Sequence, residues 1–186
     1  MEDSHLLLDN NSVDVVNFLL NKYRVNEFYY RAYVIKTEDG YDQEIPAVSL
    51  ENLEQIYKEH TLKDPRYLIA FQSRVLTPTG YKHFPMIDFS NYIIKDLGLE
   101  QVENVLKRLG EIRGFILDSG RCFHYYGDRL LSGGEWSVFM KNCAKYPEIG
   151  ERYMSHQLRR GKAALRLVTN DSKPKNPKVV RLFELK

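Results

Sequence analysis

Two apolar segments, RGFILD (113–118) and CFHYYG (122–127), are separated only by Ser119, Gly120 and Arg121. So short a connection forces an antiparallel hairpin, because a parallel crossover needs a dozen or more residues. The segments around the hairpin constrain the fold further. HFPMIDFS (83–90) is a short strand candidate, and LGLEQVENVLKRLG sets Leu99, Val102, Leu106 and Leu109 on one helical face before Gly110 stops it. After the hairpin, SGGEWSVFMKNCAKYP predicts a helix presenting Trp136, Phe139, Met140 and Cys143. ERYMSHQLRRG predicts another helix and KAALRLVT a strand. The order β-α-β-β-α-(α)-β is a split βαβ arrangement, in which the first and third strands are central neighbours and the fourth flanks the first.

The expected class is therefore α+β, an antiparallel sheet of the RRM-like type. Ahead of it, NNSVDVVNFLLNKY predicts an amphipathic helix over 12–23, and EFYYRAYVIK a strand over 27–36. EDGYDQEIP predicts a loop, SLENLEQIYKEH a second helix, RYLIAFQSRVL an apolar strand and TPTGYKH a turn. A single domain spanning 1–186 is expected, with an N-terminal α/β lobe over about 1–75 and the RRM-like lobe over about 76–186. A basic loop, NDSKPKNPK, precedes a last strand, VVRLFEL.

The net charge of +2 hides a division: residues 159–186 carry nine Lys or Arg against only Asp171 and Glu184, a candidate polyanion surface. The cysteines, Cys122 and Cys143, have no metal-type spacing and are expected to be buried thiols. No apolar run approaches membrane-spanning length and the start, MEDSH, is acidic, so the expected location is the cytoplasm, with no membrane partner. The sequence contains no GxxxxGK[ST], HExxH or GxSxG motif.

Strand parity brings the polar residues together. Phe84, Met86 and Asp88 share one side of their strand, and Cys122, His124 and Tyr126 one side of theirs. With helices on the opposite face, Asp88, His124 and Arg166 are expected to point from the same sheet on adjoining strands. Arg152, His156 and Arg159 fall at i, i+4 and i+7 on one side of a helix. Tyr29, Tyr30 and Tyr33 are expected to be mostly core and rim, although exposed tyrosines can stack on bases.

These segments resemble the archaeo-eukaryotic primase (primase-polymerase) superfamily in three places, in the family's order. ILDSGRCFHYY is similar to its Ser-Gly-x-Gly-x-His hairpin, with Cys122 in place of the second glycine. FPMIDFS is similar to its Asp-x-Asp or Asp-x-Glu strand, with Asp88 as the first acid and Ser90 where the second is expected. IGERYMSHQLRRGKAALRLVTNDSKPKNP is similar to the region of the last metal carboxylate and the phosphate-binding and template-binding basic residues. The resemblance implies Asp88 and His124 as catalytic residues, and Ser119, Gly120, Arg121, His124, Arg152 and Arg166 as nucleotide-binding. It implies Asp88 as metal ligand with Glu151 as the candidate second and Asp118 as the alternative; an alignment one residue earlier sets Gly150 where the family has the acid. Arg159, Lys173 and Lys175 are the implied nucleic-acid contacts.

The activity so implied is nucleotidyl transfer with Mg²⁺ or Mn²⁺, from a nucleoside triphosphate onto single-stranded or primer-template nucleic acid. Two carboxylates one residue apart face the same side of a strand and can share a hard cation; a carboxylate and a hydroxyl make a weaker site. Ser90 therefore keeps open a second expectation, a primase-like nucleotide or nucleic-acid binding module without competent metal coordination. An RRM-like surface unrelated to primases ranks last, because its alternating exposed aromatics around a Gly-rich core are not evident.

Overall fold

The computed structural model describes residues 10–34, 42–47, 55, 56, 58, 59, 66–89, 97–120, 122–169 and 175–185. Ser90, Arg121 and Lys173, and most of the helix expected within SLENLEQIYKEH, lie outside those residues. The chain opens on α1 (Ser12–Lys22), whose start is held by a reciprocal cap. Asn11 Oδ1 accepts from Val13 N–H at 2.7 Å and Asp14 Oδ2 accepts from Asn11 N–H at 2.9 Å. Val15, Val16, Leu19 and Leu20 on its apolar side are buried, each contributing about 1.5–3 kcal/mol relative to exposure.

The first sheet is built on β3 (Tyr67–Thr77), with β1 (Glu27–Val34) on one edge and β2 (Asp42–Ala47) outside β1. On its other edge β3 pairs with β4 (Gly80–His83) and then with β8 (Ala164–Arg166). The second sheet runs β5 (Met86–Phe89), β7 (Phe123–Gly127), β6 (Arg113–Asp118), β9 (Lys178–Glu184), antiparallel throughout. The helices are α2 (Leu99–Arg108), α3 (Gly133–Cys143) and α4 (Glu151–Arg160). The order β5-β7-β6 keeps the first and third strands of the split βαβ unit adjacent, as the sequence predicts.

The fourth strand departs from that expectation. KAALRLVT does not flank β5 in its sheet; its β8 segment pairs with β3 in the first sheet, and β9 takes the second sheet's far edge beside β6. The cause is the length of β3. Its hairpin partner β4 covers only Arg74–Thr77, so the rest of that edge would leave buried amides unpaired. The β8 segment satisfies them: Ser73 N–H donates to Ala163 C=O at 2.8 Å, and Leu167 N–H to Ile69 C=O at 2.9 Å. The first sheet thus takes β4 and β8 from beyond residue 75.

Two smaller differences have local causes. EDGYDQEIP, expected as a loop, supplies β2, an edge strand where Pro46 is tolerated. TPTGYKH is not only a turn, because Gly80–His83 returns along β3 as β4. Phe84, Phe89, Phe115 and Tyr126 are fully buried between the elements, and Phe18 of α1 meets the Phe115 ring edge-on at 5.6 Å. Cys143 is buried as expected, whereas Cys122 beside the turn is half-exposed. Gly114 is required by close approach: a Cβ there would lie 2.5 Å from both Tyr125 Cε2 and the Tyr126 carbonyl oxygen.

Buried charges tie α1 to the second sheet. Asp128, just past β7, accepts from Lys22 Nζ at 2.7 Å, from Tyr23 Oη at 3.1 Å, and stands 3.3 Å from Arg113 Nε. Burial and the Asp128 carboxylate push the Tyr23 hydroxyl well above its ordinary pKa. Behind β7, the Tyr125 hydroxyl donates to Glu111 at 2.9 Å, and Arg129 balances the Glu111 charge.

Candidate functional site

The β5–β7 register sets Asp88 directly opposite His124, and β6 sets Leu117 opposite His124 in turn. Paired residues share a sheet face, so Asp88, Met86, His124 and Tyr126 point to one side, as parity predicts. His124 Nε2 lies 4.0 Å from Asp88 Oδ1. The His124 side chain is 7% exposed and that of Asp88 28%, so the carboxylate is the accessible member of the pair.

The turn joining β6 to β7 closes on itself. Ser119 N–H and Ser119 Oγ both donate to Cys122 C=O at 2.9 Å, and Gly120 N–H donates to Asp118 Oδ1 at 2.7 Å. Asp118 is therefore a turn former. Gly120 has φ +97°, a conformation that favours glycine, and any Cβ would press on the Lys175 side chain at 3.3 Å. Lys175 is thereby brought over the hairpin turn, joining two segments far apart in sequence. The N–H groups of Ser119 and Gly120 are spent within the turn, but the Ser119 hydroxyl oxygen keeps acceptor capacity.

Arg166 reaches the site from the first sheet. It is 7% exposed, and its guanidinium donates to three carbonyls: Ser119 at 3.0 Å, Lys175 at 2.8 Å and Val168 at 3.1 Å. Burial lowers its pKa, opposed by the negative potential of Tyr33, Tyr126 and Asp88 nearby. The sequence brought Arg166 to the site through an adjoining strand and gave it phosphate. In the structure it arrives across the interface between sheets, and its donors grip the turn and the Lys175 segment.

The remaining residues lie on α4. Tyr153 Oη donates to Met86 C=O at 3.1 Å, fixing α4 against β5 two residues before Asp88. Burial pushes the Tyr153 hydroxyl well above its ordinary pKa, with the Asp88 charge adding to it. Glu151, in the first turn, is exposed; Arg152, His156 and Arg159 are exposed along the outer side, as their spacing predicts. His156 lies below its ordinary pKa, through partial burial and then the charges of Arg159, Arg152, Arg31 and Arg160. Arg31 of β1 was not singled out, because an arginine in a tyrosine-rich strand carries no motif; Tyr33, weighed in the sequence as core or rim against base stacking, neighbours Arg166 and Tyr126.

Among the described residues no three of His, Cys, Asp or Glu are grouped closely enough to hold a metal ion together. Asp88 and His124 stand as a pair, and Glu151 does not complete them.

A family model described as AEP-like, archaeo-eukaryotic primase 1D-like, matches residues 49–179. The chain belongs to that family. The match takes in β3 to β8 and the first residues of β9, so this primase-like protein carries the Asp88–His124 pair, the turn and Arg166 all inside the matched span. Among solved structures, the catalytic domain of primase Repb' in complex with initiator DNA is similar in fold, with a TM-score of 0.57 and 11% identity over 92% of this chain and 85% of that one. No curated protein matches the sequence. Among the described residues of this primase-like chain, no helix is long and apolar enough to cross a membrane.

Proposed function

We propose that this primase-like domain binds single-stranded or primer-template nucleic acid and a nucleoside triphosphate at the Asp88–His124 pair. The observation that carries this reading is the register pairing of a partly exposed carboxylate with a buried imidazole, beside a turn held down by Arg166. His124 would donate to a triphosphate oxygen, and Arg152, Arg159, Lys175 and, outside the described residues, Arg121 and Lys173 would supply positive potential to phosphates. Arg166 and Gly120 would serve by holding the turn, and Ser119 would receive a hydrogen bond. The setting is the cytoplasm.

The residues fit one hard cation better than two. Asp88 would hold a single Mg²⁺ or Mn²⁺, because among the described residues no group of three His, Cys, Asp or Glu is close enough to share one. A cation bound there would neutralise charge on the phosphates during nucleotidyl transfer. A second reading is favoured by the same donor count: a binding module that keeps nucleotide and nucleic acid without transfer.

One experiment tests both. Nucleotide binding is measured calorimetrically with dATP and ATP in Mn²⁺, for the parent, Asp88→Asn and His124→Gln; product is sought on a primer-template in the same buffer. His124→Gln is chosen over alanine because the side chain is 7% exposed, and truncation would leave a cavity. The expected result is about a tenfold loss of affinity in each variant, as for a charge-assisted contact worth roughly 1.4 kcal/mol. Unchanged nucleotide affinity in both variants overturns the assignment of the site. Binding without product under Mn²⁺ selects the module.

A further inference from the structure

The half-exposed side of β1 carries Tyr29, Arg31 and Tyr33, alternating with buried Phe28, Tyr30 and Ala32. Sheet register sets Arg31 opposite Ala70 of β3, and Ala70 opposite Arg166 of β8. The two arginines thus flank a methyl group on one side of the sheet, their Cα atoms about 10 Å apart at ordinary strand spacing. Arg31 lies over the Tyr33 ring at 4.4 Å from its centroid. Further along the sheet, Arg74 sits between the rings of Tyr29 at 5.2 Å and Tyr81 at 5.3 Å, and Tyr81 is 54% exposed.

This side of the sheet meets the basic side of α4. His156 feels Arg152, Arg159 and Arg160 on its own helix and Arg31 across from β1, so the cationic groups of two elements share one surface. Clustered like charges repel, and an anion laid among them relieves that cost. The acids on this surface already have partners: Glu44, directly opposite Arg31 in the β1–β2 register, pairs with Arg74 and with Lys162 just past α4, and Glu27 accepts from Tyr29 Oη.

We infer that this surface holds the phosphodiester backbone of a single-stranded nucleic acid, with Arg31 carrying it from α4 onto the first sheet and Tyr81 stacking on a base. The inference rests on the reading that the domain binds nucleic acid, and extends it to an element, β1, outside the matched family span. A single strand fits better than a duplex: tyrosine rings and guanidinium planes at this surface can stack only on unpaired bases. Phosphate near His156 favours its protonated form. Because burial and then the arginine cluster hold that imidazole below its ordinary pKa in the free protein and a bound strand raises it, affinity rises as pH falls.

The test is fluorescence anisotropy of the full chain with fluorescein-labelled oligothymidylate and, separately, oligouridylate, over a KCl series. Arg31→Gln is expected to weaken both and to reduce the slope of log affinity against log salt by about 0.7. Tyr81→Ala, at an exposed position that leaves folding intact, is expected to cost at least about fivefold with the salt slope unchanged. His156→Gln is expected to remove the gain on lowering pH from about 7.5 to 5.5, and Lys107→Gln on α2 to change nothing. If the parent binds either oligonucleotide and both Arg31→Gln and Tyr81→Ala bind as tightly as it does, the surface is overturned while nucleic-acid binding at Asp88 and His124 stands. If the parent binds neither, both fall.

Discussion

Replacing Arg166 with methionine removes a guanidinium of low exposure that donates to carbonyls of three segments, at 3.0, 2.8 and 3.1 Å. Hydrogen bonds from a charged donor contribute about 1.5–3 kcal/mol each, which sets an upper bound of roughly 4.5–9 kcal/mol for three. The loss is smaller than the bound, because Lys175 is exposed and Ser119 partly so, and their carbonyls regain water. Removing the cost of burying the charge offsets a further part. A net loss of about 3 kcal/mol remains, which for a chain of this size lowers Tm by roughly 6–12 °C. Arg166→Lys is expected to recover less than half, since an ammonium cannot span three carbonyls in the guanidinium's fork geometry. Urea unfolding measures the loss, and hydrogen exchange at Ser119–Phe123 locates it. A change under about 1 kcal/mol, with exchange at the turn unaltered, would show that the carbonyl bonds hold nothing together and refute the role given to Arg166.

Asp128→Asn keeps shape but strips the charge that Lys22 and Arg113 surround, and is expected to cost about 3 kcal/mol by urea unfolding. Lys22→Met, at a side chain 38% exposed, is expected to cost under about 1 kcal/mol. Gly114→Ala drives a Cβ into the Tyr126 carbonyl oxygen, a main-chain atom that cannot swing away, so a loss of about 3 kcal/mol or failure to fold is expected in thermal melts. His83, stacked on Trp136, has its pKa lowered to about 4 by burial and by Arg74. Its folded pKa lies below its unfolded one, so the unfolded chain binds the proton first: stability is retained above about pH 6.5 and falls by about 3 kcal/mol as pH drops to 4. His83→Gln should flatten that part of the pH profile.

The Asp88–His124 pair was legible because two short strands of fixed parity, one of them in a tight hairpin, leave little choice of face. The basic side of α4 was legible for the same reason, three residues at helical spacing. Arg166 was legible as a neighbour and not as a strand partner: three residues of β8 carry too little pattern to say which edge they join, and the choice was made by amides of β3 far away in sequence. Arg31 was hidden because its importance lies in who faces it across a sheet and a helix. Pro46 hid β2, since proline argues against a strand everywhere except at an edge.

The long β3 strand has a consequence for how this protein comes into being. Ala164–Arg166 closes on Ala70–Gln72, the Ser12 hydroxyl donates to Leu167 C=O, and the Ser12 amide donates to Pro177 C=O. Residues 12–77, α1 and the first sheet's β1 and β3, therefore wait for residues 164–177. During synthesis the first sheet leaves the ribosome with part of its central strand bare, exposed to pairing with the wrong partner until α4 and β8 have emerged. Such non-local closure is slow, so folding should be limited by this late return and not by the β6–β7 hairpin. A chain halted after Gly161 should populate an aggregation-prone intermediate instead of a stable half.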